Sequence, residues 1–234
     1  MQARAPVAGT VVLLDVDNTL LDNDAFSADL DDELLRALGE GGRVRYREAY
    51  ESLRRERGFA DYLAPLQLLR REFEDDPDLL KLSGFILDYP FADRVFPQVH
   101  ETLRHLDGFA TTAILSDGDI VFQPRKIQRS GLWGAVQGRV LVYVHKEQML
   151  DAVQMAYPAR HYVMVDDKPR LLAAIKAALG ARVTTVFVRQ GHYAVDADID
   201  ASCPPDFRIA RIGELAQLAL RRAAPTSALN QEIQ

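Results

Sequence analysis

The feature that most constrains the fold is the stretch at residues 11–24, which reads VVLLDVDNTLLDND. Four aliphatic residues run directly into Asp15 and Asp17, and Thr19 follows two residues later. In a strand, side chains two residues apart point the same way, so these three polar groups converge at a strand end if the strand continues. Two carboxylates that close repel each other, which indicates a cation or a shared proton between them.

Aliphatic runs recur along the chain and predict the fold class. They lie at residues 11–16, 110–115, 140–144, 162–165 and 183–188, and helical patterns lie between the later ones. Near-continuous apolar strands that alternate with helices are typical of a parallel sheet covered on both faces. We therefore predict an α/β fold with a three-layer, Rossmann-like parallel sheet core, in which ligands bind at the carboxyl ends of the strands.

One long segment, residues 22–89, breaks this alternation. It contains helical stripes such as Leu30, Leu34 and Leu38 but no convincing strand pattern. We interpret it as an inserted all-helical cap domain, which leaves residues 1–21 and 90–222 to the core. The remaining tail, residues 223–234, has no packing stripe, and we predict that it is disordered.

Polar residues also close the later predicted strands. Ser116 ends the second, Lys146 follows the third, and Asp166 and Asp167 end the fourth. A parallel sheet that gathers its strand ends would bring two acidic pairs, a hydroxyl and a lysine into one cleft. Those groups supply ligands for Mg²⁺, a nucleophile and donors for phosphate oxygens, which is what phosphoryl transfer needs.

These residues match, in order, the four motifs of the haloacid dehalogenase (HAD) superfamily. The sequence resembles its phosphatase-like members, which carry a helical cap after the first motif. The D-x-D-x-T motif stands at residues 15–19, and the Ser or Thr of the second motif stands as Ser116. The lysine of the third motif matches Lys146, and the acidic pair of the fourth matches Asp166 and Asp167.

The resemblance implies a mechanism for this chain. Asp15 attacks phosphorus and forms an aspartyl phosphate, while Asp17 protonates the leaving oxygen and later activates water. The residues that hold phosphate oxygens or shape the phosphate loop would be Thr19, Ser116 and Lys146. The residues that hold Mg²⁺ would be Asp15, Asp17 through its backbone carbonyl, Asp166 and Asp167. Whether Asp166 or Asp167 is the direct ligand stays open.

Other functions are compatible with parts of this pattern. A phosphomutase retains all four motifs. A haloacid dehalogenase typically lacks the second aspartate of the first motif and needs neither Mg²⁺ nor an acid, so Asp17 favours phosphate chemistry. A non-catalytic binding module on the same scaffold is a further alternative.

We expect side chains of the cap to determine which substrate is bound. There, Arg45, Arg47 and Tyr50 are candidates to contact the leaving group of a small phosphorylated substrate.

Net charge, apolar content and cysteine count indicate which partners and which cellular compartment to expect. A net charge of −6 argues against broad nucleic-acid binding. No apolar run approaches the ~18 residues of a membrane span. The single cysteine, Cys203, fits a reducing compartment. We expect a cytoplasmic monomer or homodimer that binds neither nucleic acid nor membrane.

Overall fold

A parallel β-sheet forms the centre of the molecule. The computed structural model describes residues 8–71, 77–192 and 203–218. Its strands are β1 (Ala8–Leu14), β2 (Thr111–Asp117), β3 (Val140–Tyr143), β4 (Ala159–Asp166), β5 (Val183–Val188) and β6 (Phe207–Ile209). The strand order is β3-β2-β1-β4-β5-β6, and every neighbouring pair is parallel. The α/β prediction is confirmed, although β6 was not predicted because three residues are too few to show a period.

Helices connect the strands and cover the sheet. They are α1 (Asn23–Arg57), α2 (Ala64–Leu69), α3 (Pro77–Asp88), α4 (Val99–Asp107), α5 (Phe122–Arg129), α6 (Leu132–Ala135), α7 (Leu150–Ala156) and α8 (Pro169–Leu179). Short 3₁₀ helices lie at Phe91–Arg94, Lys146–Gln148, Gly180–Arg182 and Ile212–Gln217. None of the helices in the described ranges combines the length and the apolar character that a bilayer crossing requires.

Side chains of β1, a central strand of the sheet, pack against helices on both faces of the sheet. Successive side chains of a strand point to opposite faces, so an apolar strand buries both. Val12 and Leu14 belong to a cluster that includes buried side chains of α4 and α5. Val11 and Leu13 belong to a second cluster with buried side chains of α7 and α8. Each such side chain contributes ~1.5–3 kcal/mol on full burial, and together they hold β1 at the middle of three layers.

The predicted cap segment is helical and lies between β1 and β2. It contains α1, α2 and α3, and α1 is interrupted at Gly39, whose φ of 66° lies in the left-handed region. Asp22 joins this segment to the core: its backbone N–H donates to the carbonyl of Arg94 at 2.8 Å, and its side chain caps α1 by accepting from Ala25 N. The division into two domains stays a prediction, and the predicted disordered tail lies outside the described residues.

Candidate active site

The first motif lies in a turn that directly follows β1. The carbonyl of Val16 accepts hydrogen bonds from three successive backbone N–H groups, beginning with Thr19. Asn18 makes the turn with a φ of 56°, a conformation that asparagine tolerates better than most residues. Because the strand ends at Leu14, strand alternation does not bring the motif residues together. The turn does so instead, and Thr19 Oγ1 donates to Asp15 Oδ2 at 3.4 Å.

A buried lysine holds the aspartates of two neighbouring strands. The Lys146 Nζ atom lies 2.5 Å from Asp15 Oδ1 and 2.7 Å from Asp166 Oδ2, and the Lys146 side chain is fully buried. β1 and β4 are adjacent in the sheet, and Asp15 N donates to the carbonyl of Val165 at 3.0 Å. The sequence-predicted residues Asp15, Asp166 and Lys146 therefore lie in direct contact.

The electrostatics of this cluster follow from burial and charge. Burial alone lowers the pKa of Lys146, but the carboxylates of Asp15 and Asp166 outweigh it and raise that pKa above its ordinary value. Burial and then the charges of Asp166 and Asp15 raise the pKa of Asp167. The pKa of the neighbouring Lys168 is also raised, because Asp15 and Asp166 outweigh its burial. The site thus holds more carboxylates than its lysines neutralise.

The carboxylates have the arrangement of a metal site. One oxygen each from Asp15, Asp166 and Asp167 lies within 4.8 Å of the others, and all three residues are buried. Neither side-chain oxygen of Asp167 has a hydrogen-bond partner among the described residues. Buried, unpartnered carboxylate oxygens are costly unless a cation binds them, and hard oxygen ligands suit Mg²⁺. The residues therefore fit a divalent cation.

Asp17 lies in a separate environment from Asp15. Its carboxylate accepts hydrogen bonds from Lys126 Nζ at 2.7 Å and from Gln123 Nε2 at 3.3 Å. The same Gln123 amide group donates to Ser116 Oγ at 2.9 Å, which connects Asp17 to the predicted phosphate-binding hydroxyl. Both partners come from α5.

Sequence reasoning missed Gln123 and Lys126, although a signal exists. They lie three residues apart and share a helix face with the apolar Phe122 and Ile127, all four being buried. Polar residues on the buried face of an amphipathic helix that directly follows a motif strand indicate partners inside the protein.

The cap segment contains a cavity of about 290 Å³. Its lining residues are Ser27, Leu30, Asp31, Leu34, Tyr46, Arg47, Tyr50, Glu51 and Tyr62. Two of the three predicted substrate residues, Arg47 and Tyr50, line this cavity. Arg45 does not, and its Nε donates to the carbonyl of Gly41 one helical turn away.

The polar groups that line the cavity include Ser27, Glu51, three tyrosines and the ion pair of Arg47 with Asp31. Burial raises the pKa of Tyr46 and of Tyr50 above the ordinary tyrosine value, so both hydroxyls stay protonated at neutral pH. Arg47 Nη2 lies 2.5 Å from Asp31 Oδ1, and the opposite oxygen of Asp31 accepts from Arg43. The Tyr46 hydroxyl donates to the backbone carbonyl of Tyr62 at 2.6 Å. The Arg47 guanidinium, whose side chain is 56% exposed, is therefore a donor that the cavity offers to a polar ligand.

A chain of hydrogen bonds connects the cavity to Asp17. Tyr62, which lines the cavity, accepts from Asn23 Nδ2 at 3.2 Å through its hydroxyl. Asn23 Oδ1 accepts from Lys126 Nζ at 3.0 Å, and Lys126 donates to Asp17. The wall of the cavity and Asp17 are thus separated by two side chains.

The comparisons with known proteins agree with this geometry. The family model described as haloacid dehalogenase-like hydrolase matches residues 10–178, which include all four motifs. No curated protein matches the chain.

Solved structures share the fold. A Burkholderia xenovorans LB400 protein described as a haloacid dehalogenase-like hydrolase is 56% identical with a TM-score of 0.85, over 92% of this chain and 98% of that one. The HAD-hydrolase YfnB from Bacillus subtilis, bound to magnesium, is 15% identical with a TM-score of 0.60, over 91% and 98%. The L-2-haloacid dehalogenase from Xanthobacter autotrophicus, with chloropropionic acid covalently bound, is 19% identical with a TM-score of 0.57, over 91% and 98%.

The crowded carboxylates predict how stability depends on pH in the absence of metal. Burial and neighbouring charges raise the pKa of Asp167 from 3.8 to about 9, so the folded state holds this proton more tightly than the unfolded state. Stability is therefore lost as pH rises from ~4 to ~9, by up to ~1.4 kcal/mol per pH unit for this group. In chelator, Asp167→Asn should unfold at a higher temperature than wild type, and the gain should grow across that range.

Thermal unfolding of both proteins at several pH values measures this gain. Asp151→Asn, on the exposed side of α7, is the matched control for removing one negative charge. A gain for Asp167→Asn that does not change with pH, or a loss of stability, would contradict the prediction.

Proposed function

Since the chain belongs to the haloacid dehalogenase-like hydrolase family, we propose that it is a Mg²⁺-dependent phosphatase acting on a phosphoric monoester of a small metabolite. The observation that carries the proposal is the second aspartate of the first motif. The Asp17 side chain is 25% exposed, accepts hydrogen bonds from Lys126 and Gln123, and is not one of the three carboxylates that suit a cation. A reaction that must protonate an alkoxide needs such a second carboxyl group, and displacement of halide from carbon does not.

Asp15 is the nucleophile in this proposal. It attacks phosphorus and releases the alcohol, and an aspartyl phosphate forms at its side chain. Lys146, 2.5 Å from Asp15, and Ser116 would hold phosphate oxygens and stabilise charge on the transferring group. Asp15, Asp167 and the backbone carbonyl of Asp17 would hold Mg²⁺, with Asp166 assisting. Bound Mg²⁺ would supply positive charge to offset the carboxylates and the phosphate.

Asp17 is the general acid and base. In the first half-reaction it gives a proton to the departing alkoxide, and in the second it takes a proton from the water that attacks the aspartyl phosphate. Its partial exposure is compatible with both roles, since water and substrate can reach the carboxylate.

The alternatives receive less support. The dehalogenases among the solved structures are under 20% identical and share the fold alone. A phosphomutase would use the same residues, and the match to a hydrolase family favours water as the phosphoryl acceptor. A non-catalytic module would have no need for the buried, unpartnered oxygens of Asp167.

The cap cavity is the proposed site for the leaving group. It is small, mostly apolar, and offers Arg47 and the hydroxyl of Tyr50 to a polar substituent. The proposal includes a cytoplasmic enzyme that is a monomer or homodimer and binds neither nucleic acid nor membrane, supported by the single cysteine and the net charge of −6.

Turnover of phosphate esters should require both Mg²⁺ and Asp15. Excess chelator should remove activity, and Asp15→Asn should abolish turnover because an amide does not form the aspartyl phosphate. Steady-state release of phosphate, with thermal unfolding as a check of folding, measures both effects. Full activity in chelator, or near-native turnover by Asp15→Asn, is incompatible with the proposal.

Asp17→Asn should separate the two half-reactions. Without the acid, hydrolysis of alkyl esters should slow by ~10²–10⁴-fold. The leaving group of p-nitrophenyl phosphate departs without a proton, so this ester should give a burst of at most one phenolate per site and then slow turnover. Stopped-flow absorbance measures the burst, and labelled phosphate should be trapped on Asp15. Near-native rates with both esters would mean that Asp17 is not the acid and base.

The cap cavity predicts a residue for substrate selection. Arg47→Ala should raise KM by ~10-fold or more for the preferred phosphate ester, because a charged hydrogen bond contributes ~1.5–3 kcal/mol. The same variant should hydrolyse p-nitrophenyl phosphate with little change in kcat. Arg55→Ala, exposed on the same helix and outside the cavity lining, is the control. Screening both variants against phosphorylated sugars, nucleotides and acids tests this; unaltered selectivity of Arg47→Ala would place the leaving group elsewhere.

A further inference from the structure

A lysine that belongs to none of the four motifs is fully buried beside Asp17. Lys126 has no exposed surface, and its ammonium donates to Asp17 at 2.7 Å and to Asn23 at 3.0 Å. Burial of an ammonium group is costly, so a lysine in this position needs compensating partners.

Aromatic rings enclose the same ammonium group. Its Nζ lies 5.3–6.0 Å from four ring centroids, those of Phe122, Tyr62, Phe91 and Phe26. These distances lie within the range of cation–π attraction. Phe26 and Tyr62 come from the cap segment, whereas Phe122 lies on α5. Rings from both parts of the chain therefore restrict Lys126 to one position.

Gln123 completes the support of Asp17. Its amide group donates to both Asp17 Oδ2 and Ser116 Oγ, so it sets the spacing between these two side chains. Ser116 Oγ accepts this hydrogen bond and donates its own proton to the backbone carbonyl of Asp117 at 3.3 Å.

The turn after β2 packs closely against Gln123 at Gly118. A Cβ atom at Gly118 would lie 2.8 Å from Gln123 Cβ, and Gly118 has a φ of 154°. Only glycine allows this close approach. The end of β2, where Gly118 follows, therefore packs directly against the start of α5, which carries Gln123 and Lys126.

We propose that Lys126 and Gln123 are positioning residues that hold the Asp17 carboxylate in the orientation needed for proton transfer. The inference rests on the proposed phosphatase function and adds two residues to it. Neither residue reacts with the substrate; each acts through Asp17. Loss of either should therefore resemble loss of Asp17 itself rather than loss of phosphate binding.

The central variant is Lys126→Met, which keeps an unbranched side chain within the aromatic rings. Replacing one partner of an ion pair is tolerated where the other can be hydrated, and Asp17 is 25% exposed. Arg125→Met is the matched control, because Arg125 neighbours Lys126 and pairs only with Asp88 on the exposed surface of the described structure. We expect both variants to fold.

The kinetic readout uses two leaving groups. Lys126→Met should lower kcat/KM for an alkyl phosphate by ~10²-fold and leave kcat/KM for p-nitrophenyl phosphate within ~3-fold of wild type. It should lower kcat for p-nitrophenyl phosphate, because breakdown of the aspartyl phosphate still needs Asp17. Arg125→Met should resemble wild type with both esters. Equal losses of kcat/KM on both esters would mean a general structural role and would overturn the proposal.

A double-mutant cycle tests whether Lys126 acts through Asp17. If it does, Asp17→Asn with Lys126→Met should be no slower than Asp17→Asn alone. A double variant whose loss of activity equals the product of the two single-variant losses would overturn the proposal. If Lys126→Met does not fold, Lys126→Gln, which removes the charge and keeps a donor, enters the same cycle with the same expectations.

A crystal structure can test the positioning role independently of the proposed phosphatase activity. In a crystal structure of Lys126→Met, the Asp17 carboxylate should occupy a different orientation or several, while the contact between Lys146 and Asp15 should stay unchanged. An unchanged Asp17 would overturn the positioning role even if the enzyme were active. Failure of wild type to hydrolyse any phosphate ester with Mg²⁺ would overturn the proposed function instead.

Discussion

The contact of Lys146 with Asp15 and Asp166 is the interaction on which the rest of the site depends. Three buried carboxylates at the ends of β1 and β4 would repel one another if no positive charge lay among them. A fully buried ammonium at 2.5 and 2.7 Å from two of them supplies that charge. Removing one partner of such a pair leaves an uncompensated buried charge and costs ~3–5 kcal/mol. Lys146, in the short helix that follows β3, therefore helps the ends of β1 and β4 to stay close.

Two lysines give Asp15 and Asp17 different surroundings. Lys146 draws Asp15 into the buried cluster that suits a cation and a phosphate. Lys126 draws Asp17 toward α5 and the cap segment, where it is partly exposed. Two carboxylates with different surroundings can act as nucleophile and as acid and base in the same reaction. β1 ends at Leu14, before both aspartates, so strand alternation does not align the two side chains.

The cap segment contributes to both the cavity and the aromatic rings around Lys126. Tyr62 lines the cavity and lies 5.8 Å from Lys126 Nζ, and Asn23 connects the Tyr62 hydroxyl to Lys126 by hydrogen bonds. Substrate binding in the cavity would therefore occur one residue away from the side chains that support Asp17. This arrangement relates recognition of the leaving group to the residue proposed to protonate it.

The sequence by itself determined the parallel α/β core, the helical segment after β1 and the set of residues at the strand ends, since apolar period and motif order are local properties. The structure brought Asp15, Lys146 and Asp166 into contact, as the strand-end argument expected. It also decided what no local pattern encodes. Asp15 pairs with Lys146 whereas Asp17 pairs with Lys126. Arg47 and Tyr50 line a cavity that Arg45 does not, and two residues of α5 contact Asp17. These outcomes depend on a turn dihedral and on packing between distant segments, which only the folded chain specifies.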